Sequence, residues 1–350
     1  VLMERFGIRA VVSTALALVG GGMLLAGLVS QLWHLVLLWG VMLGVGSGMT
    51  ALVLGAVVSN RWFATRRGLI MGVLTASAAT GQLICLPIAA WMIEHWGWRA
   101  PLLPLALLCL GVMALVMLFM KDRPSDVGLK PYGDTSPADA APAPPPAAIT
   151  WTTPFTVLRE ASVQPAFWLL FGTFFICGLS TNGLMQTHFI SMCGDYGLAA
   201  VPAASVLAMM GVFDFIGTVA SGWLSDRYDA RKLLFWYYGL RGLSLLWLPN
   251  ADFTLYGLSL FAMFYGLDWI ATVPPTVRLT AERFGAAKVG LVFGWIFAGH
   301  QIGAAVAAYG AGLSRSVLLS YSPAVYAAGA ACLLAAGLAM AIRRKTAPVA

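Results

Sequence analysis

The sequence predicts an all-α fold whose chain crosses a membrane many times, and three observations lead there. Sixty per cent of the 350 residues are hydrophobic and only 10% carry charge, against about 25% charged in a soluble domain; mean hydropathy is +0.83. Apolar runs of roughly 20 residues recur, the length a helix needs to cross about 30 Å of hydrocarbon. The runs are continuous rather than alternating, which selects helices over barrel strands, the other way a backbone satisfies itself in lipid.

Ten spans follow in order, near residues 10–30, 33–58, 68–93, 100–120, 166–189, 202–224, 233–249, 253–274, 288–312 and 320–342. Residues 121–150 differ in kind. They hold seven prolines, with the run Pro142-Ala143-Pro144-Pro145-Pro146, the composition of an extended linker. Thr153-Pro154, followed by Phe155, Val157 and Leu158, predicts a short interfacial helix leading into the next span. The expected organisation is a first helical bundle over 1–120, a linker over 121–164 and a second bundle over 165–350. Cys85, Cys109, Cys177, Cys193 and Cys332 are odd in number and unclustered, and read as apolar filler. The stretch after Glu4–Arg9 is too long for a signal core and another span follows at once, so no secretion signal is read there.

Placing the loops on alternate sides separates the basic residues. One side receives Arg5, Arg9, Arg61, Arg66, Arg67, Lys121, Arg123, Lys130, Arg159, Arg227, Arg231, Lys232, Arg278, Arg283, Lys288, Arg343, Arg344 and Lys345, which is 18 of 21. The other side keeps Arg99 and Arg315, and Arg241 falls inside a span. The net charge of +7 therefore sets topology and does not point to nucleic acid. The positive-inside rule puts the linker and the C-terminus in the cytoplasm, with the protein in an inner (plasma) membrane. Trp33, Trp96 and Trp98 then fall at the outer boundary, and Trp62 and Trp236 at the inner one, as an aromatic belt.

A shift of 222 residues lays the chain on itself without a gap. Arg5 falls on Arg227, Arg9 on Arg231, Gly44 on Gly266, Thr50 on Thr272, Arg61 on Arg283, Gly68 on Gly290, Gly72 on Gly294 and Gly81 on Gly303. Six spans separate Glu4 from Asp226, an even number, so both copies point the same way, as in transporters built from parallel repeats.

On these residues the chain resembles the major facilitator superfamily. Gly222-Trp-Leu-Ser-Asp226-Arg227, with Arg231 and Lys232, matches the loop that follows the second helix of each half in that family, although Asp229 replaces its second glycine. Glu4-Arg5-Phe6-Gly7-Ile8-Arg9 is a weaker copy in the first half. The resemblance implies a two-bundle major facilitator fold with Val1 at the end of the second helix, so that about ten of twelve helices are present and two precede them. It also implies that Glu4, Arg5, Gly7, Arg9, Gly222, Asp226, Arg227 and Arg231 latch the inner gate, with Arg227 bridging neighbouring helix ends. Asn60-Arg61-Trp62-Phe63, Arg66-Arg67-Gly68, Gly72, Gly81 and Arg123-Pro124-Ser-Asp-Val-Gly-Leu-Lys-Pro-Tyr132 resemble its monocarboxylate-porter and oxalate–formate exchanger branch. That branch implies a secondary carrier of a small organic anion, working by alternating access with protons or by exchange. One departure matters: animal members place an Arg one turn after the Asp of the eighth helix, and here Thr218 follows Asp214.

Charges inside a membrane cost about 2.5–3.5 kcal/mol each on insertion scales, so each calls for a reason. Asp214, Arg241, Asp268 and His300 lie 9 to 12 residues from the basic side, roughly 14–18 Å deep along a helix. Either Arg241, a fixed carboxylate-shaped fork, or His300, which switches near neutral pH, is expected to meet an anionic substrate. Either Asp214 or Asp268 is expected to exchange a proton. The competing reading is a buried neutralising pair, such as Asp214 with Arg241. Asn182 and Gln186, spaced i, i+4, share one helix face, and with Thr50 they are further polar candidates for substrate or ion contact. Gly40, Gly44 and Gly48 read as a ridge for close packing, and Pro274-Pro275 as a bend used in gating.

No phosphate-binding loop, His-Glu-x-x-His or Gly-x-Ser-x-Gly is present. No enzyme, cofactor or metal site is expected; the partners expected are lipid, a small solute and protons. Two alternatives remain beside the carrier of small anions: a multidrug or metabolite efflux carrier, and a membrane sensor of the same fold that does not transport.

Overall fold

The computed structural model describes residues 2–50, 52–65, 67–134, 150, 152–285 and 288–343, with the backbone alone at 4, 52, 53, 56, 60, 67–69, 71–73, 75–80 and 82. The side chain of Glu4, the proline run of the linker, Arg66, Arg344 and Lys345 lie outside the described residues. So do the side chains of Asn60, Arg67 and the Gly68 and Gly72 positions.

Helices stand at all ten expected positions. In chain order they are α1 (Ile8–Ala26), α2 (Leu32–Thr50) with its continuation α3 (Leu52–Trp62), α4 (Arg67–Trp96), α5 (Leu102–Phe119), the short α6 (Thr153–Ser162), α7 (Pro165–Asp195), α8 (Ala200–Arg227), α9 (Ala230–Trp247), α10 (Leu255–Phe284), α11 (Val289–Leu318) and α12 (Ser322–Ala341). Among the described residues, eight are long and apolar enough to cross a membrane. α4 and α9 fill the two remaining positions; α9 opens on Arg231 and Lys232 and buries Arg241. Apolar side chains face outward in a way water would not allow. On α5, Leu103, Leu107, Leu115 and Leu118 are all more than half exposed, and only Leu102 and Ala106 are buried. Such a face needs lipid against it.

The chain divides into two compact units, Val1–Ala78 with Ile88–Trp151, and Ala79–Pro87 with Thr152–Ala350. In the first, α1 packs on α5 and α2. Gly7, at φ +84°, joins the short helix Leu2–Phe6 to α1, and a Cβ there would run into the Asp122 carboxylate. That carboxylate accepts the Arg9 backbone N–H at 2.8 Å, while the Arg9 guanidinium donates to the Met117 carbonyl. Arg61 donates to the Met3 carbonyl at 3.2 Å. The two segments that carry the branch resemblance are tied together: Tyr132 N–H donates to the Trp62 carbonyl at 2.8 Å, and Ala64 N–H to the Tyr132 carbonyl at 2.9 Å.

The glycine ridge is a correction. Gly40 and Gly48 meet nothing within 4 Å among the described residues, and Gly44 meets only its own helix. Gly46 makes the close contact instead, against Ala15, Leu18 and Val19 of α1. The wide π-winding of Val36–Leu43 breaks the i, i+4 register between Gly40 and Gly44, and Gly46, two residues from Gly44 and Gly48, points to the other side of the helix from them.

The second unit is built from three helix pairs in which glycine brings backbones together. Gly178 and Gly183 of α7 face the carbonyls of His300 and Ala304 on α11, and Gly303 faces the Phe175 carbonyl in return. Gly217 of α8 meets the Leu267 carbonyl of α10, and Gly266 that of Met210. Gly242 of α9 and Gly329 of α12 face each other's carbonyls. In lipid, where burying apolar surface drives nothing, such close van der Waals contact is what holds helices together. A Gly303→Val protein is expected to lose about 3 kcal/mol from overpacking against Phe175. Gly294→Val, on the same helix with open space at its Cβ, is expected to change stability by less than about 0.5 kcal/mol. Thermal unfolding of the purified proteins in detergent compares them.

Candidate functional site

The site grows out of one defect. α10 is interrupted: its first part ends at Asp268, a turn occupies 269–272, and helix resumes at Val273 with Pro274 and Pro275 in its first turn. The two prolines have no N–H to donate, which spares the new helix start two orphan donors but leaves the carbonyls of residues 270 and 271 without their usual partners. In a membrane such groups must be satisfied by neighbouring protein.

They are. The Ile270 carbonyl accepts from Val273 N–H at 2.8 Å, and the Ala271 carbonyl from Ser221 Oγ of α8 at 2.5 Å. The Ile270 N–H donates to Asp214 Oδ1, also of α8, at 2.8 Å. Arg241 of α9 donates through Nη2 to the carbonyls of Asp268 and Trp269, the latter at 3.0 Å. Its Nε pairs with Asp268 Oδ2 at 2.7 Å. Its Nη1 reaches Cys177 Sγ at 3.2 Å and Ser180 Oγ at 3.4 Å on α7. Five acceptors thus meet a side chain that has five N–H donors, and the Arg241 side chain is 0% exposed.

The structure therefore brings three of the four deep ionisable residues to the interruption, and pairs Arg241 with Asp268. The alternative pair, Asp214 with Arg241, is not the one formed, because Asp214 is turned to the α10 backbone and to Thr218 Oγ1 at 3.1 Å. Asp268 keeps one oxygen, Oδ1, buried and without a partner among the described residues. His300 of α11 lies beside Cys177, stacked on Phe297 with ring centroids 5.4 Å apart and against Phe174 at 5.1 Å. It is 7% exposed, and its Nδ1 likewise has no partner.

Asn182 and Gln186 fall in a π-wound stretch of α7, Leu179–Gln186. Asn182 is half-buried and Gln186 exposed. Ser180 and Thr181 donate back to the carbonyls of Ile176 and Cys177 at 2.7–3.1 Å, hydroxyl contacts that compete with the helix ladder. Thr50 belongs to the first unit, where its Oγ1 turns back to Gly46 and Ser47 carbonyls on its own helix.

The latch residues are placed less as the resemblance implies. Arg227 lies 3.9 Å from the Trp223 ring centroid, on its own helix. Asp226 is exposed and Gly222 faces open space. Arg231 instead pairs with Asp229, at 2.7 and 3.1 Å, and donates to the Ile342 carbonyl at 3.1 Å. Asp229 also caps α9 by accepting Arg231 N–H. In the first half Arg5 sits 5.6 Å over Phe6. The sequence did not single out Ser221 or Ser180, and it offered Asp229 only as a departure from the family loop and Cys177 only as apolar filler. Asp229 had a signal, an Asp just before a helix start; the other three look like ordinary small residues of apolar spans.

Comparison with known proteins agrees with this architecture. A sequence profile of the Major Facilitator Superfamily matches residues 1–308. Monocarboxylate transporter 13 of Bos taurus is 29% identical over 341 residues, covering 96% of this chain and 74% of the bovine one. The uncharacterized MFS-type transporter YcxA of Bacillus subtilis (strain 168) is 24% identical over 348 residues, 97% of this chain and 79% of its own. Among solved structures, the E. coli fucose:proton symporter FucP superposes with a TM-score of 0.59, over 98% of this chain and 86% of that one, at 16% identity, which speaks to fold alone. With an all-helical second unit, multiple apolar spans and a profile match along most of its length, the chain belongs to the Major Facilitator Superfamily and is a multi-pass membrane transporter of a small molecule rather than an enzyme.

Proposed function

We propose that the protein is a secondary transporter of a small organic anion such as a monocarboxylate, moved by alternating access and coupled to protons or to exchange. The observation that carries this reading is that, among the buried polar atoms without a partner in the described residues, two belong to the deep ionisable residues Asp268 and His300. Asp268 Oδ1 and His300 Nδ1 are buried, polar and without a partner. A proton can be taken up at Asp268 Oδ1, and a protonated His300 Nδ1 can donate to a carboxylate, without breaking a bond already made there. The named cargo of the bovine relative points the same way.

In this reading Asp268 accepts the coupling proton, and His300 donates to the anionic end of the cargo. Arg241 is fully engaged and serves by holding Asp268, while Asp214 serves through the α10 backbone. Asn182, Gln186 and Thr50 are assigned secondary polar contacts, and Glu4, Arg5, Gly7, Arg9, Gly222, Asp226, Arg227 and Arg231 the inner gate. The basic loops, the linker and the C-terminus face the cytoplasm of the inner (plasma) membrane.

Protein reconstituted into liposomes is expected to take up radiolabelled lactate or pyruvate, and to do so faster when the lumen is alkaline. Asp268→Asn is expected to abolish that stimulation while counterflow of preloaded substrate persists. His300→Gln is expected to lower uptake about tenfold, roughly 1.4 kcal/mol, through a raised KM. Unaltered uptake and pH dependence in both variants would end this assignment, and binding without counterflow would identify a sensor instead.

Topology has its own check. Reporter domains inserted within 142–146 and after Ala350 are both expected to be active only on the cytoplasmic side. Both reporters on the outer face would reverse the proposed orientation, and reporters on opposite faces would overturn the two-bundle topology itself.

A further inference from the structure

Among the described residues, the backbone groups of the interrupted stretch of α10 take their side-chain partners from α8 and α9. α8 supplies Asp214 to the Ile270 N–H and Ser221 to the Ala271 carbonyl. α9 supplies Arg241 to the carbonyls of Asp268 and Trp269. All three side chains are buried. A helix end buried without partners is unstable, so without them the turn at 269–272 has no reason to hold its present shape. Asp268 is the last residue before that turn, and its carboxylate points where the turn and Arg241 put it.

We propose that Asp214, Ser221 and Arg241 form a clamp on the interrupted helix, and that all three are positioning residues for transport. The clamp fixes the direction of the unpartnered Asp268 Oδ1, and it does so without touching cargo. Arg241 has no donor left for a carboxylate. Asp214 Oδ1 is the acceptor of both the Ile270 N–H and the Thr218 hydroxyl. The effect on transport rests on the reading of Asp268 as proton acceptor given above; the clamp itself does not.

Cys177 is a built-in reporter of the clamp. Its thiol is 2% exposed and lies 3.3 Å from Thr272 Oγ1, at the far end of the turn, and 3.2 Å from Arg241 Nη1. In full-length protein with Cys85, Cys109, Cys193 and Cys332 changed to alanine, a membrane-permeant maleimide can reach Cys177 only when the turn opens. Asp214→Ala is expected to speed that labelling about tenfold, the change that loss of one hydrogen bond to a charged group produces in a local opening equilibrium. Ser221→Ala and Arg241→Lys are expected to act in the same direction. Asp214→Asn keeps an oxygen for the Ile270 N–H and is expected to label like the parent.

Transport by the same proteins gives the second readout. Asp214→Ala and Arg241→Lys are expected to lower the maximal rate while KM stays within about twofold, the pattern of a group that does not bind cargo. Labelling that is unchanged in Asp214→Ala, Ser221→Ala and Arg241→Lys overturns the clamp. So does a KM raised about tenfold or more in Arg241→Lys, which would make it a cargo ligand. If Asp268→Asn keeps normal proton coupling while the labelling pattern holds, the clamp stands and the assignment of the proton to Asp268 falls.

Discussion

The second unit depends on one constraint: a backbone interrupted inside hydrocarbon must find every hydrogen-bond partner within the protein. α10 breaks after Asp268, and the groups released there decide what surrounds them. Arg241 is present because two carbonyls and a carboxylate need a forked donor. Asp214 is present because an exposed N–H needs an acceptor. The cost of placing charges at this depth is offset by the bonds they make together, and removing one partner would strand the others. The expensive residues of the membrane interior are thus first an answer to a defect in a helix, and chemistry is built upon that answer.

The defect also explains the spacing of functions along the helices. α8 meets α10 both with polar groups and through glycine, α9 meets it with Arg241, and α7 and α11 meet each other through glycine and backbone. Cys177 and Ser180 of α7 touch Arg241, and His300 of α11 lies beside Cys177. A contiguous path of polar contacts therefore runs from α8 through α10 and α9 to α7 and α11. Arg241 and Cys177 are the side chains that lie between Asp268 and His300.

Much of this was legible in the sequence, and the reasons differ by residue. The spans were legible because lipid tolerates almost nothing but long apolar helices, so composition alone marks them. Asp214, Arg241, Asp268 and His300 were legible because a charge or imidazole in such a span stands out, and Pro274-Pro275 marked the broken helix. Which carboxylate Arg241 would choose was not legible. Helix rotation about its axis decides it, and Asp214 and Asp268 look alike in depth. The ridge of Gly40, Gly44 and Gly48 presumed a continuous α-helix, whereas Val36–Leu43 is π-wound and the close contact with α1 falls to Gly46. Ser221 was invisible because a hydroxyl in an apolar span has many uses and no spacing to single it out.

The glycine contacts of the second unit carry a consequence for how this protein can change. Gly178, Gly183, Gly217, Gly242, Gly266, Gly303 and Gly329 sit where any larger residue would strike a neighbouring main chain or side chain, so the helix lattice tolerates little drift. The His300 side chain, by contrast, lies between the Phe174 and Phe297 rings beside Cys177, while it is the His300 main chain that Gly178 packs against. Variation is steered toward side chains such as the His300 ring and its phenylalanine neighbours, which can change while the spacing of the helices is kept.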